Sequence, residues 1–216
     1  MDDFPRHHGN EATDQWPGLP PELLSRNWRN LPPVLKGLGV TLREVETGDA
    51  SALLALLSHD EIAQVIAPPP RSVAELQSQV EGARLERLDG RGICFAVLPE
   101  RRQESVGLFR LRELERGFGS AEWEFVIAPE FWGGGLFFTA APLVVDFAFD
   151  VLGVHRLEAR AAVHNGRGNG ALRKIGAVQE GVLRRSLQQE QGWVDQSLWT
   201  LIADDWRQRM GRRGVH

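Results

Sequence analysis

Three glycines in a row, Gly133-Gly134-Gly135, sit directly in front of an apolar stretch, LFFTAAPLVVDFAFDVLG (136–153). Nothing else in the chain constrains the fold as strongly. The stretch has the spacing and length of a buried helix closed by Gly153, and the run before the glycines, AEWEFVIA (121–128), reads as a strand. A glycine run between a strand and a helix has two readings. It packs tightly beneath a bulky helix, or it brings bare main chain and a helix N-terminus up to an anionic ligand. No lysine follows the glycines, so the nucleotide P-loop pattern is excluded. Pro142 falls inside the helix and marks a candidate kink.

Around that centre the periodicities give an ordered series. VTLREV (40–45) alternates as a strand. Asp49 stands as N-cap before ASALLALLSH, and Ser72 with Glu75 forms a capping box before VAELQSQVEGARLERL. ICFAVL (93–98), SVGLFRLREL (105–114) and AEWEFVIA read as a meander of three strands. After the apolar helix come a strand, HRLEARAAV (155–163), a short helix, GNGALRKIG (168–176), and a final hairpin. The class is α/β, with a mixed, mostly antiparallel twisted sheet of about seven strands and flanking helices. One helical crossover makes strands 121–128 and 155–163 parallel neighbours. Residues 1–38, rich in Pro and Gly, read as an irregular arm pinned by Trp16, Trp28 and Leu31. Residues 39–206 form the domain, and 207–216 a polar C-terminal tail.

Bulk properties remove some functions. The net charge of −4 argues against a nucleic-acid partner. No apolar run reaches the length of a membrane span. The N-terminus lacks a secretory pattern, and one cysteine, Cys94, allows no internal disulfide, so a reducing, cytoplasmic setting is expected. His155 and His164 are isolated, and no metal site is expected. The hairpin around Trp193 offers an apolar surface for a homodimer.

The segments AEWEFVIAPEFWGGG, FAFDVLGVHRLEAR, NGRGNGALRKIGAVQEGVLRR and GWVDQSLWTLIADDW occur in the order of the GNAT N-acetyltransferases and resemble the RimJ/RimL branch over 121–206. The resemblance implies a fold in which the fourth and fifth strands (121–128 and 155–163) splay apart. Acetyl-CoA would be co-substrate and a primary amine, on a protein N-terminus or a small molecule, the acceptor. It implies a phosphate loop from Trp132 through Gly133, Gly134, Gly135 and Leu136 to Phe137, with Val126, Ile127 and Ala128 as the strand edge along pantetheine. Asn165 matches an asparagine that contacts the cofactor, and Gly168 replaces a serine placed near the sulfur. Phe137 stands where a small residue is usual. The chain has no tyrosine, so the tyrosine that protonates the leaving thiolate in many relatives has no counterpart.

An acyl transfer to an amine needs a base. The candidates are Glu122 and Glu124, which share a strand face, and Glu158 on the neighbouring strand; the other reading of each is a solvated sheet-face charge or a structural partner for Arg156 and Arg160. Asp195 and Arg71 are further polar candidates, structural or acceptor-facing. Two other functions fit the residues: a non-catalytic acyl-CoA-binding or sensor module on the same fold, and, more remotely, a dinucleotide site at GRGNGA (166–171), which lacks the acidic residue expected about twenty positions on.

Overall fold

Eight strands form one sheet in the order β1-β2-β3-β4-β5-β6-β8-β7. The computed structural model describes residues 27–213. The strands are β1 (Leu35–Gly37), β2 (Val40–Glu44), β3 (Gly92–Pro99), β4 (Gly107–Glu113), β5 (Ser120–Ile127), β6 (Arg156–Ala162), β7 (Val178–Gln189) and β8 (Gly192–Ile202). Every neighbouring pair is antiparallel except β5 and β6. The strand beyond those expected is β1, a three-residue edge inside the segment read as an irregular arm. Its apolar content, a single buried Leu35, is too short for a periodic signal. Trp16 lies outside the described residues.

β3 is buried on both faces, which explains its unbroken apolar run. On one side lie α1 (Ala50–Leu57), α2 (Asp60–Ala63) and α3 (Val73–Leu88). Glu86 of α3 takes Arg110 of β4, and Arg87 takes Glu44 of β2. On the other side runs α4 (Leu136–Asp146), continued by a π-helical turn over Phe147–Val151. Pro142 sits inside α4 without ending it. The helix departs from α geometry five residues later, where Leu152 N–H reaches back to the Phe147 carbonyl. The core on this side is aromatic: Phe95 meets Phe147 edge-on, and Phe109, Trp123, Phe125 and Phe137 form a contiguous group.

Two helix starts differ from expectation. Asp49 does not cap α1 with its side chain. It closes a 3-10 turn at Thr47–Asp49, accepting from Glu46 N–H at 2.8 Å and holding Arg43 at 2.7 Å. A nearby guanidinium outcompetes a cap amide for the carboxylate. Ser72 does cap α3, but Glu75 reaches Arg71 N–H, not Ser72 N–H, closing the box one residue earlier.

Residues read as polar tail form α6 (Ala203–Arg213) with the end of the domain segment. Its anchors are few: Trp206 donates to the buried Asp146 at 2.6 Å, and Arg209 to the carbonyl of Lys174 at 3.0 Å. Ala203, Trp206 and Met210 mark its apolar side, too few to give the segment an apolar period in the sequence. At the other terminus Trp28 is buried edge-on against Phe118 and Phe147, whereas Leu31 is 69% exposed and pins nothing. Trp28→Ala is expected to cost about 3 kcal/mol, measured as a lowered urea midpoint with unchanged slope. A loss under about 0.5 kcal/mol would mean that Trp28 contributes nothing to the core.

Candidate active site

β5 and β6 pair only over Ser120–Glu122 and Arg156–Glu158; beyond Glu122 no pairing continues. The gap this leaves is lined by unspent main chain. Hydrogen-bonded pairs alternate along an antiparallel ladder, and Leu114 with Ser120 and Val106 with Ala128 fix the phase for β4 and β5. Even-numbered β5 residues therefore bond to β4, and odd-numbered ones face β6. The expected edge trio is thus offset. Val126 and Ala128 spend their amides on the β4 side, while Ile127 and Phe125, which sequence reasoning missed, turn theirs into the gap. A motif comparison names a segment; only strand phase tells which alternate residues are free.

The Ile127 carbonyl is already taken, by the indole N–H of Trp132 at 2.8 Å. Arg167 lies over the same indole: its guanidinium sits 4.3 Å from the Trp132 ring centroid. Trp132 thus ties the glycine turn to both walls of the gap. Gly133 (φ +77°) and Gly135 (φ +85°) adopt left-handed backbone. A Cβ at either would meet nothing within 4 Å. Backbone conformation, not tight packing, demands glycine here. The amides of Gly135, Leu136 and Phe137 have no acceptor among the described residues, and α4 has no side-chain cap. Three free N–H groups at the start of an eleven-residue helix suit an anion such as a pyrophosphate. Phe137 does not obstruct them. Its ring packs 4.7 Å from Phe125 in the aromatic core beneath.

The far wall is held by α5 (Gly166–Ile175). Asn165 caps it, its Oδ1 accepting from Gly168 N–H at 2.8 Å. A Cβ at residue 168 would lie 2.6 Å from Asn165 Nδ2, so Gly168 belongs with this cap. Asn169 is a residue the motif comparison passed over. Its Nδ2 donates to the carbonyls of Ala162 and Asn165, and its Oδ1 accepts from Trp199. That set of bonds finishes β6 where it leaves the sheet. GRGNGA therefore opens α5 as a capped turn. The chain then enters the antiparallel β7–β8 hairpin, which excludes the dinucleotide fold and its run of parallel units.

The three carboxylates gather on the sheet face opposite α4, around the closed end of the gap. Glu122 is buried and doubly paired, with Arg112 at 2.8 Å and Arg160 at 3.4 Å. Glu158 is held by Arg156 at 2.9 Å. Arg156 also bonds both oxygens of Glu180, and this guanidinium, with the Thr200 hydroxyl, pulls the Glu180 carboxyl down to about 2. Glu124 differs: it forms no ion pair with the described residues, and part of its surface stays exposed while the rest is covered by the sheet face. Desolvation by the surrounding protein, and then the charge of Glu122, hold its carboxyl above the usual range against the pull of Arg110, Arg112 and Arg160. Arg110, directly across the ladder, gives Nη2 to Glu86, and its buried Nε–H meets no acceptor among the described residues.

Other candidates resolve as structure. Asp195 accepts from Arg185 N–H at 2.7 Å, where β7 bulges and Arg185 takes a positive φ of 48°. His164 bonds the Gln64 carbonyl at 3.0 Å. Cys94 is buried, its thiol pushed up to about 12 by desolvation, and inert on that ground. The side chain of Arg71 stays exposed. Among the described residues no group of three or more His, Cys, Asp or Glu is placed to hold a metal ion, and no helix is long and apolar enough to cross a membrane.

Comparison with known proteins agrees with this geometry. Residues 40–178 match the family described as an acetyltransferase (GNAT) domain. The chain is 26% identical over 171 residues to an uncharacterized N-acetyltransferase, YoaA, of Bacillus subtilis, covering 79% of this chain and 97% of the relative. It is 28% identical over 145 residues to the spermidine N(1)-acetyltransferase of Vibrio cholerae, covering 67% and 82%. Among solved structures, Mycobacterium smegmatis RimJ in complex with CoA-disulfide superposes with a TM-score of 0.75 at 25% identity, covering 86% of this chain and 94% of that one. With its early-ending β5–β6 pair, free α4 amides and matched family region, the chain belongs to the GNAT acetyltransferases.

Proposed function

We propose that the protein moves an acetyl group from acetyl-CoA to a primary amine by direct attack of the amine on the thioester. One observation carries this reading: a gap of unspent main chain between β5 and β6 runs beside free amides at the start of α4. A long ligand with an amide-bearing arm and a pyrophosphate would satisfy both. In this reading Gly135, Leu136 and Phe137 amides hold the pyrophosphate, with Gly133 and Gly134 shaping the turn and Trp132 bracing it. Phe125 and Ile127 hydrogen-bond pantetheine. Asn165 and Gly168 form the opposite wall near the sulfur.

Acetyl-CoA supplies an acetyl carbonyl activated as a thioester. Glu124 accepts the proton that the attacking ammonium must lose, because it is the carboxylate of the three with no arginine occupying its lone pairs. Glu122 and Glu158 hold Arg112, Arg156 and Arg160 in place. The nitrogen–carbon bond forms, the carbon–sulfur bond breaks, and the leaving thiolate takes its proton from water, since a thiol is acidic enough to leave near neutrality.

The cradle is tested by Gly135→Val. The new side chain meets open space but forces a β-branched residue into a positive φ. Acetyl-CoA affinity by calorimetry should fall at least about ten-fold in a protein that still unfolds cooperatively; unchanged affinity would remove the cradle. The native protein should also release CoA thiol from acetyl-CoA when offered an acceptor amine. Tight CoA binding with no thiol release across a broad amine panel would favour the sensor reading.

Glu124→Gln should lower turnover about 100-fold or more at neutral pH with little change in acetyl-CoA affinity; equal turnover would rule Glu124 out. Stability should move the other way. A carboxyl raised in the folded state favours folding while protonated, and that contribution fades as pH climbs from about 4.3, its unfolded value, through the raised folded one. Glu124→Gln should therefore melt higher than the native protein at pH 7, with the difference vanishing below about pH 4. Glu122→Gln should instead destabilise by about 2 kcal/mol, as it strips partners from two arginines; a neutral effect on urea unfolding would contradict its structural role.

A further inference from the structure

Arg160 stands on β6 two residues past its last pair with β5, on the carboxylate face, level with Glu124 across the opening gap. Glu122 and Glu158 hold its guanidinium at 3.4 and 3.8 Å, yet it makes no hydrogen bond within the geometric limits to any described residue. Arg156 is the contrast, with Nε on Glu158 and both terminal nitrogens on Glu180. Arg112 has spent only Nη2. The gap therefore presents an unpaired carboxylate on one wall and, on the other, a guanidinium that two glutamates flank at ion-pair distance without closing a hydrogen bond on its donors. A planar fork with free donors fits a carboxylate, bound through two parallel bonds.

Charge count narrows the acceptor further. Around this gap Glu122, Glu124, Glu158 and Glu180 face Arg112, Arg156 and Arg160, which leaves one carboxylate, Glu124, in surplus. A polyamine needs several. The same face is closed at its far end. Gln189 bonds the carbonyls of Gln64 and Ile66 at 2.8 and 3.4 Å, and His164 shares the Gln64 carbonyl. The segment after α2 is thereby lashed to the tip of the β7–β8 hairpin and the end of β6, which suits a small acceptor.

We propose that the acceptor is a small zwitterion, a free amino acid, with its amine at Glu124 and its carboxylate on Arg160, and that Arg160 determines this specificity. The proposal rests on the acetyltransferase reading above. The test measures kcat/KM by thiol release for a free L-amino acid, its amide, the same amine without the carboxylate, a tripeptide with the same first residue, and spermidine. The native protein should prefer the free amino acid over its decarboxylated amine by about 10- to 100-fold, the span of a charge-assisted hydrogen bond. Arg160→Gln should bring that ratio close to one through a raised KM, and Arg160→Lys should restore part of it. Preference by the native protein for spermidine, the plain amine or the tripeptide overturns the proposal and leaves the transferase reading standing. A ratio unmoved by Arg160→Gln overturns it equally. Acetyl-CoA binding with no amine turned over sinks both readings, and the native protein's ratio decides the matter even if Arg160→Gln does not fold.

Discussion

The rest of the site depends on a single break in hydrogen bonding: the β5–β6 ladder stops after Glu122 and Glu158. Main-chain groups inside a folded domain are nearly always paired, so strands that part early need support. Here that support is specific. Trp132 satisfies the Ile127 carbonyl, and Asn169 and Asn165 take up the main chain where β6 ends. What is left, chiefly the amides of Phe125 and Ile127, faces the gap. The parallel pairing is itself a consequence of the α4 crossover. That connection delivers the unpaired start of a helix to the mouth of the gap opened by the strands it joins.

The aromatic group under the loop makes this arrangement stiff. Phe137, in the first turn of α4, packs on Phe125 of β5, and both join Phe109 and Trp123. The turn cannot shift without moving these rings. Four rings in contact resist displacement because each move forfeits close packing on several sides. Phe137 thus acts beneath the glycine turn, through its packing on Phe125, and leaves the free amides above it clear.

On the opposite face electrostatics do the sorting. Three glutamates on the same face of two neighbouring strands acquire different surroundings. Glu122 is buried between two arginines, Glu158 is clasped by Arg156, and Glu124 has none in contact. A carboxylate engaged by a guanidinium is a poor proton acceptor; one that is partly desolvated and unpaired is a better one.

Much of this was legible in the chain itself. The alternation in 40–45 and 121–128, the apolar helix after three glycines and the single crossover determine a mixed sheet with one parallel pair, because period and connection length leave few other ways to bury those faces. The glycine turn and the grouping of Glu122, Glu124 and Glu158 follow from local order and strand parity. What only the tertiary structure decided depends on contacts between distant segments. β1 and α6 carry too few apolar residues for a periodic signal and are held by Leu35, Trp28, Trp206 and Arg209 meeting partners far along the chain. The phase of the β5 ladder put Phe125 in place of Val126 at the gap. Which of the glutamates is paired was decided by Arg112 and Arg160 reaching Glu122 from two other strands, since a carboxylate's proton affinity belongs to its surroundings and not to its place in the sequence.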